Sequence, residues 1–245
     1  MWITNQIVFS KLSKYFPTQA GRNSQGKITV RHRGGGRKSK IKLVDYNRFL
    51  WNVPAYVKSL EYSKHHSAFL ALIIYSIGIA SYIIAPHNIK IGSFVISGQQ
   101  SPLLPGCSLL LKNIPFNTKI HNIEAYPKSG GKYVRAAGTW ALILEKNAKT
   151  ALILFNNGQK KLLSINCSAT IGAVSNFKHK SFFYLRKAGK ARQLNKRPSV
   201  RGVAMNPVDH PHGGGKGKKS PPQPTYNFVR KLPKGRRTVL KKNNV

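Results

Sequence analysis

Asp209, His210 and His212 are the residues whose types and spacing most readily point to chemistry. A carboxylate beside an imidazole can set its tautomer and raise its basicity, as in an acid/base pair or the surroundings of a metal-bound histidine. Pro207 and Pro211 fix φ around them and exclude helix. Three potential ligands within four residues, interrupted by Pro211, converge poorly on one ion. No other acidic or cysteine cluster completes a coordination shell, and nothing in the sequence supplies a nucleophile in a dry, concave site. Neither a metal nor a cofactor is therefore expected. The segment runs on through Gly213, Gly214 and Gly215 to Lys216 and Lys218, and glycine lets backbone approach a partner closely or take positive φ. Rigidly aimed side chains followed by bare backbone in a cationic field suit contact with a folded polyanion. In that reading His210 and His212 bond phosphate, ribose or base edges while Asp209 orients them. An acid/base or metal-dependent enzyme site at the same three residues is the alternative.

A second glycine triplet, Gly34-Gly35-Gly36, lies between Arg22, Arg31, His32 and Arg33 on one side and Arg37 and Lys38 on the other. Guanidinium groups meet phosphate with two hydrogen bonds and stack on unpaired bases. A nucleotide-binding loop is disfavoured, because the Gly-Lys-Ser/Thr ending and a following helix are both missing from the pattern. From Phe177 to Arg201, aromatic residues alternate with cations that include Arg186, Lys187, Lys190, Arg192, Lys196, Arg197 and Arg201. Such interleaving suits RNA, where aromatic faces stack on splayed bases and Lys neutralises phosphate.

These clusters belong to a chain of 245 residues with 42 Lys plus Arg against 5 Asp plus Glu, a formal net charge of +37. Such a chain repels itself unless negative charge is near, which makes nucleic acid the leading partner. With 41% hydrophobic residues it still has apolar surface enough for a core. Cys107 and Cys167 lack partners at zinc-ligand spacing and are expected as buried free thiols. Cations dominate both ends: 11 against one acid in residues 1–49, and 19 against Asp209 alone in residues 177–245. The ends therefore read as basic extensions that order only against a partner.

The middle must position whatever the extensions do, and its apolar runs are short, β-branched and separated by turn residues. Strands are expected at 41–46, 55–62, 68–75, 81–85 and 93–98, then at 109–111, 119–123, 138–145, 150–155 and 161–165. Asn156-Asn157-Gly158 marks a hairpin. Two consecutive small β-barrels are the economical solution. Residues 67–86 carry no charge and are long enough to cross a bilayer as a helix, yet β-branched Ile and a turn at Gly78 favour two buried strands, so membrane insertion is not expected. Residues 1–20 are basic and acid-free, fitting either an organelle-targeting presequence or an ordinary basic arm.

Several motifs occur in an order that resembles one known family: Gly21-Arg22-Asn23, Arg31 to Gly36, Tyr82 to Pro86, His121 to Glu124, Lys132 to Gly138, Asn166 to Thr170, Gly189-Lys190-Ala191, and Arg197 to Gly215. From about Gly21 to Lys218 the chain resembles the large-subunit ribosomal protein L-two family. The resemblance implies a mainly β fold, an OB-like barrel followed by an SH3-like barrel, with long basic N- and C-terminal extensions. The implied boundaries are 1–39 for the first extension, 40–106 and 107–176 for the barrels, and 177–245 for the RNA-threading tail. It also implies a non-enzymatic constituent of the large subunit that binds rRNA, supports the peptidyl-transferase region and helps join the subunits. Large-subunit rRNA, other ribosomal proteins and the small subunit are the implied partners. Lys132, Arg135 and Asn206 join the RNA-binding set, and His210 is the position that the family places nearest the catalytic RNA. Two departures stand out. The turn at 76–80 lacks the family's usual charges, and the family's Pro-Trp-Gly element after Lys218 is replaced by Pro222-Gln223-Pro224. Drift toward Asn, Ile and Phe points to a mitochondrial ribosome, with plastid or bacterial ribosomes as alternatives.

Overall fold

The computed structural model describes residues 12–15, 17–36, 38–182 and 187–215, with only the backbone of Lys180 and Phe182. The described residues fall into two units, 12–18 with 38–182, and 19–36 with 187–215.

The larger unit is mainly β. A short ribbon of β1 (Ser13–Tyr15) and β2 (Lys40–Lys42) precedes β3 (Ala55–Glu61), β4 (Leu70–Tyr75), β5 (Ala80–Ile84) and β6 (Phe94–Val95). The last four form an antiparallel sheet in the order β5-β4-β3-β6. A bulge in β3 between Val57 and Ser59 adds the bend that a small barrel needs. Tyr75 and Gly78 close the β4–β5 hairpin, with Gly78 at φ 82° and its amide 2.9 Å from the Tyr75 carbonyl. The uncharged stretch 67–86 is thus two strands, and no helix among the described residues is long and apolar enough to cross a membrane.

The reason for that unbroken apolar run lies in burial on both faces of β4. Ala71, Ile73 and Tyr75 join Ala55, Val57, Ile83 and Val95 on one side. Leu70 and Leu72 pack with Ala80 and Tyr82 on the other, where Leu12 and Val44 cover them. A strand covered on both faces cannot alternate apolar with polar residues. Across the rim, Lys42 pairs with Glu61, whose carboxylate also accepts hydrogen bonds from Ser59 and Tyr82, each at 2.9 Å. Partial burial alone would raise the Glu61 pKa, but these hydrogen bonds outweigh it and hold the group below its ordinary value.

The second sheet comprises β7 (Ser108–Leu110), β8 (Lys119–His121), β11 (Ala141–Lys146), β12 (Thr150–Phe155), β13 (Lys160–Ser164) and β14 (Ser168–Ile171), while β9 (Ile123–Glu124) pairs with β10 (Gly131–Tyr133) beside it. The order is β13-β12-β11-β8-β14-β7, curled around a core of Leu109, Leu111, Ile120, Ile143, Ile153 and both cysteines. Cys107 and Cys167 are buried free thiols, as expected, and burial with Glu124 nearby pushes the Cys167 thiol up to about 11. Asn156-Asn157-Gly158 turns β12 into β13, with Gly158 at φ 80°. The two sheets are those of an OB-like barrel followed by an SH3-like barrel.

Three expectations need correction. The expected strand 41–46 ends at Lys42, because Asp45 Oδ1 accepts the amides of Asn47 and Arg48 at 3.0 and 2.8 Å and turns the chain. The expected strand 119–123 breaks at Asn122, whose φ of 49° separates β8 from β9. Strand β14 was not anticipated: it is a short run after the polar Asn166, yet it pairs with both β7 and β8.

The smaller unit corrects the view of the extensions. Residues 19–36 and 187–215, expected to order only against a partner, order against each other. A bridge between Arg33 and Lys196, the Gly34 amide on the Asn195 carbonyl at 3.2 Å, and the Arg197 amide on the His32 carbonyl at 3.0 Å hold them together. Backbone hydrogen bonding needs no apolar surface, which is why low hydrophobicity did not forbid it.

Candidate nucleic-acid interface

In the smaller unit, the Gly21 carbonyl accepts the Thr29 and Val30 amides at 2.9 and 3.0 Å, closing a loop whose stem is the Arg22–Ile28 bridge. That loop presents Arg22 to solvent, and Arg31, His32 and Arg33 follow it, also exposed. His32 Nδ1 lies 3.1 Å from the Pro198 carbonyl. Gly36, at φ 91°, sits where a Cβ would overlap the Asn195 side chain, so this glycine is needed for close approach and not only for a turn. Lys187, Lys190 and Arg192 are exposed on and beside α2 (Ala188–Gln193), after the short α1 (His179–Phe182) of the larger unit. Lys196, Arg197 and Arg201 are exposed further on. The structure therefore gathers the Gly34–Gly36 triplet and the described cations at 187–201 into one unit, with these cations exposed.

The second motif is a compact loop built on backbone. The Asn206 carbonyl accepts the Asp209 and His210 amides at 3.0 and 3.3 Å, the Gly213 amide reaches the His210 carbonyl at 2.8 Å, and the Gly214 amide reaches the Met205 carbonyl at 3.1 Å. A Cβ at Gly213 would overlap the Asn206 carbonyl. His210 stacks edge to face with His212, centroids 4.9 Å apart, and Gly202 packs against its ring. His210 Nδ1 accepts the His212 amide at 3.0 Å, which leaves Nε2 as the proton-bearing nitrogen of the neutral ring. The hydrogen bond expected between Asp209 and His210 is not present among the described residues, and the His210 ring is oriented by the His212 amide and Gly202 instead. Among the described residues no three His, Cys, Asp or Glu side chains are grouped to hold a metal.

Lys132 and Arg135 belong to the larger unit, exposed along a cavity of about 640 Å³ that Asp45 and Tyr46 also line. The Arg135 guanidinium lies 4.7 Å from the Tyr46 ring centroid, a cation–π contact. Lys38 is exposed and belongs to the same unit. Arg37, Arg186, Lys216 and Lys218 lie outside the described residues, as do residues 1–11 of the basic, acid-free stretch 1–20 and the segment 221–224. Phe177 was grouped with the tail's stacking aromatics, but it packs on the barrel, 4.6 Å from the His87 ring and against Gly138. Sequence reasoning missed Phe49 and Trp51, exposed at 73% and 41% beside the same cavity system. Their signal was two aromatics in a turn-forming stretch with no strand pattern to bury them.

Two β-barrels with exposed guanidinium and glycine clusters are the architecture of an RNA-binding protein. Residues 10–97 match the family described as Ribosomal Proteins L2, RNA binding N-terminal domain, and residues 104–228 match Ribosomal Proteins L2, C-terminal domain. The match reaches beyond the span Gly21 to Lys218 in both directions. The chain is 48% identical over 209 residues to the large ribosomal subunit protein uL2 of Hyphomonas neptunium, covering 85% of this chain and 75% of that one. It is equally similar, with the same coverage, to the uL2 of Ehrlichia chaffeensis, and 48% identical over 206 residues to that of Ehrlichia ruminantium, covering 84% and 74%. This chain belongs to the ribosomal protein L2 family.

Proposed function

We propose that this chain is a structural, non-enzymatic constituent of a large ribosomal subunit that binds its rRNA. The observation that carries the reading is the smaller unit, where Gly36 and Asn195 bring two basic segments together with Arg22, Arg31, Arg33, Lys190, Arg192, Arg197 and Arg201 facing solvent. The barrels dock by shape, and the cations neutralise phosphate where two strands of rRNA approach. Residues 1–39 and 177–245 act as the threading extensions, 40–106 and 107–176 as the barrels. The compact loop 202–215 presents His210 Nε2 as a hydrogen-bond donor to RNA near the peptidyl-transferase region, and other ribosomal proteins and the small subunit are its neighbours. The enzyme alternative loses its main support, because no hydrogen bond joins the Asp209 carboxylate to His210 and no metal-holding group is found among the described residues. Residues 1–20, basic and free of acids, together with the Asn- and Ile-rich composition, favour a mitochondrial ribosome, while the uL2 relatives named above are bacterial.

Sedimentation of the tagged chain through a high-salt sucrose gradient of mitochondrial lysate tests this. Co-migration with the large subunit is expected. Recovery in slow fractions without rRNA would overturn the assignment.

A further inference from the structure

We propose that Phe49 is a rigid wedge on which unpaired bases of the rRNA stack, one in the cavity on each side of its ring. The inference rests on the reading of the chain as an rRNA-binding protein and adds a site outside the basic segments. Phe49 lines two cavities, one of about 740 Å³ bounded by Trp51, Lys112, Lys128 and Asn166, the other the 640 Å³ cavity that holds Lys132 and Arg135. Each has room for a nucleobase and its sugar, within the range of ordinary ligand sites.

An exposed aromatic on a loose loop would carry no argument, but this one is held on both sides. Asp45 fixes the Asn47 and Arg48 amides, and Arg48 adopts φ 54° with its side chain buried and Nη1 donating to the Gly106 carbonyl at 3.1 Å. Leu50 packs on the first barrel's core, the Trp51 amide reaches the Phe49 carbonyl at 3.0 Å, and the Asn52 amide bonds the Ser97 carbonyl at 2.6 Å. The backbone is thus anchored immediately before and after a ring that is 73% exposed and belongs to no core cluster. Stacking on such a ring needs little further loss of freedom, because the ordering cost is met on folding.

Charge selects the occupant. The carboxylate in the larger cavity, Glu124, is buried and accepts the Gly130, Lys128 and Ser168 amides at 3.0, 3.2 and 2.9 Å, so its charge is screened by three donors. Lys112 and Lys128 stand exposed, without an ion pair to a described residue. An aromatic floor with a cationic rim fits a base and its phosphate better than an apolar protein side chain.

The test uses the full chain and a transcript of the large-subunit rRNA. At fixed salt, Phe49→Ala is expected to weaken binding roughly tenfold, the loss of a base–aromatic stack. The slope of log affinity against log salt is expected to be unchanged, and Phe49→Trp to restore affinity. Ultraviolet cross-linking is expected to leave a ribonucleotide on the peptide containing Phe49 and Trp51. If wild type binds and Phe49→Ala binds equally well, the wedge is wrong and the rRNA-binding reading stands. If Phe49→Ala binds the transcript normally but fails to enter the assembled subunit, a neighbouring ribosomal protein occupies the cavities and the proposal is overturned. Failure of wild type to bind the transcript would sink the proposed function itself.

Discussion

The His121 imidazole is fully buried, with Nδ1 2.8 Å from the Gly172 carbonyl. Burial, with the buried Arg48 charge nearby, lowers its pKa to about 4, against the hydrogen bond to Gly172, which acts the other way. The unfolded chain binds a proton near pH 6.5 that the folded chain refuses until about pH 4. Stability from this group is therefore complete above pH 6.5, falls as pH drops through that window and levels off below about 4. The loss is on the order of 3 kcal/mol. Thermal melts of wild type and His121→Asn at pH 7, 5.5 and 4 are expected to converge at low pH, the variant being the flatter. Parallel curves would show that His121 is not the titrating group. His210 presents the opposite case, an imidazole on a loop, aimed by a backbone amide and a glycine contact. The sequence put it beside Asp209, but adjacency in sequence says nothing about which way two side chains face.

At the scale of elements, β4 decides how the stretch 67–86 is read. Ile73 is wholly buried at the centre of the first barrel, while Ile77 in the following turn is 56% exposed. Ile73→Ala is expected to cost about 2–5 kcal/mol through lost burial and the cavity left behind. Ile77→Ala should change stability by no more than about 0.5 kcal/mol. Urea titrations of the two variants measure the contrast, and equal losses would contradict the two-strand assignment. Most strands were legible because β-branched runs and turn residues mark them. Strand β14 was not, since its four residues are too short a run to stand out beside the polar Asn166 and Ser168, and they become sheet only by pairing between β7 and β8. Asn122 was not either, because the break between β8 and β9 rests on the φ of 49° at this one residue, which the alternation of residues 119–124 does not reveal.

For the whole molecule, the net charge of +37 sets how binding responds to salt. If about ten phosphates are neutralised, log affinity for naked rRNA should fall with log salt at a slope of roughly −7 to −9. Binding isotherms between low and moderate salt measure it. A slope near zero would mean that shape and stacking, not counterion release, hold the complex. The same charge explains why acids are spent so sparingly: Glu61 is hydrogen-bonded at the rim of one barrel, and Glu124 is enclosed by amides in the other.

The sequence by itself determined the β class, the two-barrel order, the basic ends and the family resemblance, because each follows from local residue pattern or total charge. Only the tertiary structure decided three things that depend on which groups pack together. The Gly34–Gly36 triplet is closed by Asn195, more than a hundred positions away. His210 is oriented by Gly202 and His212, not by Asp209. Phe49 is left standing between two cavities because its neighbours on either side are anchored to the barrels. Local pattern can say that a residue is aromatic or cationic; only the packing around it fixes whether it is buried, paired or held out for a partner.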